Sequence, residues 1–305
     1  GDGRRPDSVE FGVDINDDLS RRDFTINAMA YDSQWNLIDP FGGSTDLEEG
    51  MLRSVGNASE RLGEDGLRVM RAYRFLASQK VEAMDAELKQ AVKDNVTMLG
   101  QVSKERIGDE MRRTLSAPSA HAAISMMQAD KVIEQILPGL SARTDVSLRG
   151  DPVVNLALVC SGDARSGAEL SALLRDSMKM SNDELREIAF LHDARDVPLP
   201  SDAPSIRVFR ASLPELRQSR FVDYSAGIGR DVSQFELSIS ELLPLRAGNA
   251  PLVDGNTLSE VTGLEPGPRM GRLKAILHRF QIERDLVSRD EVLSLLDELD
   301  WQESE

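Results

Sequence analysis

The sequence predicts a small α+β segment followed by a predominantly all-α body. Two patterns carry that expectation. Only residues 9–55 show the short alternating runs and turn residues of β-strands. From residue 57 onward, apolar residues recur at helical spacing almost to the end. The length of 305 residues leaves room for two or three domains.

Taken in order, VEFGVDI (9–15) alternates weakly and suits a strand. MAYD (29–32) and NLID (36–39) flank the polar turn SQW and suggest a hairpin. Pro40 and the pair Gly42-Gly43 end that hairpin, and LRSV (52–55) suits one more short strand. Two or three short strands make a poor core alone, so this segment reads as part of a larger domain. A helix is expected over 57–80, where Leu62, Leu67, Met70, Tyr73 and Phe75 fall near helical spacing. Further helices are expected near 85–98, 103–115, 118–129, 153–160, 166–178, 182–194, 214–227, 232–243, 255–262, 268–286 and 289–300. Ser181, Asp254 and Ser288 are N-cap candidates, with Glu184 and Glu291 completing two capping boxes. Pro198, Pro200 and Pro204 mark a loop near 195–205. The acidic end, 291–305, reads as a solvated helix face and tail.

Composition excludes several classes. The single cysteine, Cys160, rules out a disulfide framework and a cysteine-built zinc site. His121, His192 and His278 are far apart and show no metal spacing; the pair His192-Asp193 reads as a helix face. No apolar run reaches the ~18 residues of a transmembrane helix, and a reducing cytoplasm fits the cysteine usage. A net charge of −16 argues against a general nucleic-acid binder, although a local basic patch would escape that argument. The chain starts at Gly1 without a signal-peptide core, which reads as a fragment or a processed product.

Two clusters carry the chemistry. In the first, Asp18, Arg21, Arg22 and Asn27 lie close together in DLSRRDFTINAMA. Arginine presents a planar fork suited to phosphate, while Asp and Asn suit ribose hydroxyls. A salt-bridged turn is the plainer alternative. In the second, Asp65, Arg68, Arg71 and Arg74 follow i, i+3 spacing. Three cations on one stripe repel unless an anion joins them, and a triphosphate would answer that need; a solvated charged face is the alternative. Asp65 and Arg68 also suit a base reader. Cytosine and adenine place an amino donor beside a ring-nitrogen acceptor, which an aspartate and an arginine complement. Guanine and uracil present the reverse order, leaving buried groups unpaired at about 1–3 kcal/mol each.

Together RRDFTINAMA, IDPFGGSTDL (38–47), LRSVGNASERLGEDGLRVMRAYRF and VSKERIGDEM (102–111) resemble the class II tRNA nucleotidyltransferase and bacterial poly(A) polymerase family. PLVDGNTL (251–258) and PGPRMGRLKAILHRFQIER (266–284) resemble the tail of its CCA-adding branch. The resemblance implies a nucleotidyltransferase-type head, helical neck, body and tail: 1–56 as the C-terminal part of the head, 57–145 as neck and nucleotide-template helices, 146–305 as body and tail. It implies transfer of CMP and AMP from CTP and ATP to a tRNA 3′ end, with Mg²⁺ as cofactor. Arg22, Asp65, Arg68, Arg71 and Arg74 are then nucleotide-binding, and Asp18, Arg21 and Asn27 form the ribose motif. Arg269, Arg272, Lys274 and Arg279 make a basic stripe suited to tRNA backbone.

The family's GGxxRD segment and metal-binding Asp-x-Asp pair do not precede Val9. The chain by itself is therefore expected to be inactive, with no catalytic residue or metal ligand of its own. Arg4-Arg5-Pro6-Asp7 resembles the end of a flexible loop found in CCA-adding members and tilts the choice toward full CCA addition. A poly(A) polymerase of the same family and a non-catalytic RNA-binding helical module are the competing readings.

Overall fold

The computed structural model describes residues 14–301, which fall into two compact units that divide between Arg195 and Asp196. Most of the expected strand at 9–15 and the RRPD motif lie outside the described residues. Ile15 instead opens a helix, α1 (Ile15–Ser20), where Asp14 accepts from the Asn16 N–H at 3.1 Å.

In the first unit the expected hairpin is present. β1 (Ala30–Tyr31) pairs antiparallel with β2 (Leu37–Ile38), Ala30 opposite Ile38. Asp32 closes the turn by accepting from the Gln34 and Asn36 N–H groups, both at 2.8 Å, and Trp35 sits at its tip, 82% exposed. Asp39 then starts α2 (Gly43–Glu48) by accepting from the Gly43 and Ser44 N–H groups at 2.7 and 2.9 Å. A Cβ on Gly43 would stand 2.1 Å from the Thr25 carbonyl oxygen, so the glycine permits this close approach. β3 (Met51–Leu52) pairs parallel with β4 (Ala83–Met84), a pairing that residues 52–55 alone do not announce. The apolar cluster of this first segment is small: Leu19, Ala28 and Val55, with Ala30, Ile38 and Phe41 around them.

Nine helices of the described residues complete the unit: α3 (Ala58–Glu64), α4 (Leu67–Ala77), α5 (Ala86–Asp94), α6 (Lys104–Leu115), α7 (Ala120–Ala129), α8 (Val132–Ile136), α9 (Pro152–Val159), α10 (Gly167–Ser177) and α11 (Asn182–Asp193). α4 is the spine. It packs on α6 and α7 and buries Val69, Met70, Ala72 and Tyr73 completely. Its Tyr73 hydroxyl donates to Asp130 at 2.9 Å, which satisfies the buried group. Ser181 and Glu184 form the expected capping box, and Ser166 and Glu169 form a second. His192 lies on a helix, as expected, but on its buried face. It is fully buried, with Nε2 2.8 Å from the Arg165 carbonyl, while Asp193 accepts from the Gly167 N–H at 2.6 Å. Both side chains tie α11 to the start of α10.

The second unit holds α12 (Ala203–Ser212), α13 (Glu215–Gly227), α14 (Ser233–Glu241), α15 (Gly255–Thr262), α16 (Pro268–Arg284) and α17 (Arg289–Ser294). α12 corrects the loop expected at 195–205. Its Pro204 lies in the first turn, where a missing N–H costs nothing, and Asp202 caps it by accepting from the Ser205 N–H at 2.8 Å. Phe209, Phe221 and Phe235 form one aromatic cluster, with ring centroids 5.2 to 6.2 Å apart. Leu258, Leu273, Leu277, Val292 and Leu295 form another core with Trp301 packed on its edge. Asp254 and Ser288 cap α15 and α17 as expected. Among the described residues, no helix is long and apolar enough to cross a membrane.

Candidate functional site

The helix expected over 57–80 is two helices. α3 ends at Glu64, Asp65 is extended (φ −151°, ψ 106°), and α4 begins at Leu67. Gly66 at the junction lies against the Met98 carbonyl, which a Cβ would approach to 2.6 Å. The sequence EDG therefore breaks the helix where the backbone must pass close to residues 96–101. Asp65 consequently leaves the helical stripe, and only Arg68, Arg71 and Arg74 ride on α4.

The break still brings the two clusters together. Arg21, Arg22 and Asn27 from the RRDF segment and Asp65, Arg68 and Arg71 line one cleft of about 410 Å³, joined by Asp23, Leu67 and Arg106. Five arginines face two aspartates there, so the cleft is electropositive in a chain of net charge −16. Asp18 and Arg74 do not line it. Asp18 pairs with Arg22 at 2.7 Å, both side chains about half exposed. Arg74 donates from Nε to Glu110 at 2.6 Å and lies over the Phe75 ring at 4.4 Å.

Each α4 cation already has a carboxylate. Arg68 donates to Glu64 at 2.6 Å and to the Arg61 carbonyl at 2.6 Å. Arg71 donates from Nε to the buried Asp23 at 2.6 Å, and its Nη1 lies 3.8 Å from Glu110. The stripe is thus neutralised from within, and its mutual repulsion does not itself demand a triphosphate. What argues for an anion is the remaining excess of arginine around an open cleft.

Asp65 is held at both oxygens. Its Oδ1 accepts from the Leu67 N–H at 3.1 Å and its Oδ2 from Arg106 at 2.5 Å. Burial pushes this carboxyl up, but the Arg106 hydrogen bond, the Leu67 N–H and the charges of Arg106 and Arg68 together hold it below the usual carboxylate range. It is an ionised, acceptor-only group facing the cleft.

Sequence reasoning misses three residues that organise the site: Asp23, Arg106 and Glu110. Asp23 sits inside the RRDF run itself. Arg106 and Glu110 lie four apart in VSKERIGDEM, one face of α6, a spacing that signals a pair of neighbours able to reach α4. The tail cations sit on α16. At about 100° per residue, Arg269, Arg272 and Arg279 share one face and Lys274 lies on another. Arg269 and Arg272 flank a pocket of about 170 Å³ beside Trp301.

The described residues do not fit a magnesium site. No three His, Cys, Asp or Glu side chains among them converge on a point that could hold a metal ion. The two carboxylates in the cleft are each bound to an arginine, an unfavourable neighbour for a divalent cation.

Comparison with known proteins places this geometry in context. Residues 1–53 match the family described as the poly A polymerase head domain, and residues 83–143 match the probable RNA and SrmB-binding site of polymerase A. The CCA-adding enzyme of Lactobacillus johnsonii is 33% identical over 298 residues, covering 92% of this chain and 72% of that protein. A Geobacillus CCA-adding enzyme is 30% identical over 301 residues, covering 95% and 74%. Among solved structures, the Bacillus stearothermophilus CCA-adding enzyme in complex with CTP superposes with a TM-score of 0.78 at 24% identity, over 97% of this chain and 76% of that one, and shows the same fold.

Proposed function

The chain belongs to the CCA-adding enzymes, a family of tRNA nucleotidyltransferases, and from that premise we propose that its cleft selects CTP and ATP for addition to the tRNA 3′ end. The observation that carries the reading is the convergence of Asp65 and Arg68 with Arg22 and Arg71 on one open, electropositive cleft. In this reading Asp65 accepts from the exocyclic amine of cytosine or adenine, and Arg68 donates to the adjacent ring nitrogen. Arg22 and Arg71 hold the phosphates, and Arg21 and Asn27 lie on the ribose side. Asp18 orients Arg22 through their ion pair. Arg74 supports the site from behind, through Glu110. The chain's part in the reaction is to bind, orient and discriminate.

Mg²⁺ belongs to the proposal as the family's cofactor, with no ligand cluster for it among residues 14–301. The division into head, neck, body and tail, the cytoplasmic location and a tRNA contact along the Arg269, Arg272 and Arg279 face of α16, without Lys274, are parts of the same proposal.

Equilibrium binding of the four ribonucleoside triphosphates to the 305-residue chain tests it. CTP and ATP are expected to compete for one site and to exceed UTP and GTP in affinity. Asp65→Ala removes an attraction to the first pair and a repulsion to the second, so the preference narrows by about tenfold or more. Arg71→Ala weakens all four alike, because a phosphate contact carries no base information. The reverse assignment of effects would show the roles to be wrong. ATP binding with no CTP binding would favour the poly(A) polymerase reading, and no nucleotide binding at all would favour an RNA-binding module.

A further inference from the structure

We infer that Arg106, on α6, is the positioning residue that makes Asp65 a one-way reader of the incoming base. This rests on the base-reading role of Asp65 proposed above and adds a residue on a separate helix as the source of its specificity. Asp65 is extended between two helices, so no helical ladder fixes its side chain. A free carboxylate rotates about its Cβ–Cγ bond and offers its lone pairs in any direction. Here one oxygen is tied to the Leu67 N–H and the other to the Arg106 guanidinium, from different elements. Two anchors on two oxygens fix the plane of the group. The lone pairs left over face the cleft in one orientation, which is the condition for a preorganised acceptor.

Arg106 also fixes the protonation state. Burial opposes the charge on Asp65 more strongly than any other single influence, and Arg106 supplies the largest counterweight. The other charged groups near Asp65 are Arg68 and Arg71 from α4, Glu64 at the end of α3, and Arg21, Arg22 and Asp23 from the RRDF segment. Of these, Arg68 alone contributes to holding the carboxyl down. Without Arg106 the carboxyl titrates higher. Once protonated, its O–H becomes a donor that the carbonyl of uracil or guanine can accept. The protein would then admit the bases it is built to refuse. Asp18 shows the contrast. Its ion pair with Arg22 is about half exposed and lies within one helical turn, a looser anchor than a contact from a separate helix.

The test measures CTP and UTP affinity for the 305-residue chain at pH 8 and pH 5.5 in the parent, Arg106→Met, Arg106→Lys and Asp65→Asn. Arg106→Met is expected to cut the CTP-over-UTP preference about tenfold at pH 8. At pH 5.5 the preference falls further, because UTP binding tightens as Asp65 takes up a proton. The parent ratio stays flat across the same interval. Arg106→Lys keeps the charge and one donor and restores most of the ratio, and its near-parent far-UV circular dichroism guards against loss of fold. A purely structural role would weaken both nucleotides in step and leave the ratio and its pH profile unmoved, and that result overturns the inference. If Asp65→Asn abolishes the preference while Arg106→Met retains it at both pH values, the base-reading role stands and Arg106 is not its source. If Asp65→Asn also retains the preference, the base-reading role itself is wrong and Arg106 has nothing to position.

Discussion

Helices α4 and α16 both carry a run of arginines, yet they use them differently. On α4 the side chains of Arg68, Arg71 and Arg74 are 16 to 28% exposed, and each meets a carboxylate from another element: Glu64, Asp23 and Glu110. On α16 Arg279 is 71% exposed and pairs only one turn along its own helix, with Glu283, and Arg284 reaches Glu298 while 44% exposed. The first arrangement fixes guanidinium groups in space, as a small ligand requires. The second leaves Arg279 and Arg284 largely in water on long stems, while Arg269 on the same helix donates to the Trp301 carbonyl at 3.1 Å. The same residue type is thus locked by carboxylates of other segments in one place and largely solvated in the other.

The largest test of that contrast is Glu110→Ala. Glu110 is 5% exposed at its side chain and answers both Arg74 and Arg71. Its loss strands charge inside the unit and is expected to destabilise it by about 3 kcal/mol, read as a shift in the urea transition followed by far-UV circular dichroism. A change below about 1 kcal/mol would mean that α4's cations are no better fixed than those of α16. Next comes Gly66→Ala, where the added methyl meets the Met98 carbonyl. Overpacking of this kind costs about 1–3 kcal/mol and displaces the neighbouring Asp65, so nucleotide preference should weaken together with stability. Retained preference at unchanged stability would show that the junction is slack. The smallest effect belongs to Arg279→Ala. Stability should change by less than about 0.5 kcal/mol. If α16 contacts tRNA as proposed, the slope of log affinity against log salt should fall by about one unit. An unchanged slope would remove Arg279 from the tRNA contact.

Much of the fold was legible in residues. The hairpin follows from MAYD and NLID around a polar turn, and the caps at Ser181, Asp254 and Ser288 follow from their residue types and, at Ser181 and Ser288, the acids three positions on. The hidden part depends on partners remote in sequence. The α3–α4 break needs the Met98 carbonyl, 32 positions beyond Gly66, and a helical periodicity reads straight through it. The carboxylates that neutralise Arg71 and Arg74 come from positions 23 and 110, so a stripe that reads as self-repelling is already balanced. Pro204 misled in the opposite way, since proline both ends helices and begins them.

The chain's two tryptophans fall one in each unit, and their surroundings differ. Trp35, at the hairpin tip, is already in water, while Trp301 packs on the second unit's core and donates to the Leu296 carbonyl at 3.2 Å. Intrinsic fluorescence is therefore a one-sided instrument for this protein. Its red shift reports the opening of the second unit, because the Trp35 emission has little further to move. A lesion at Glu110 or Gly66 can melt the arginine-lined cleft while the emission maximum stays still.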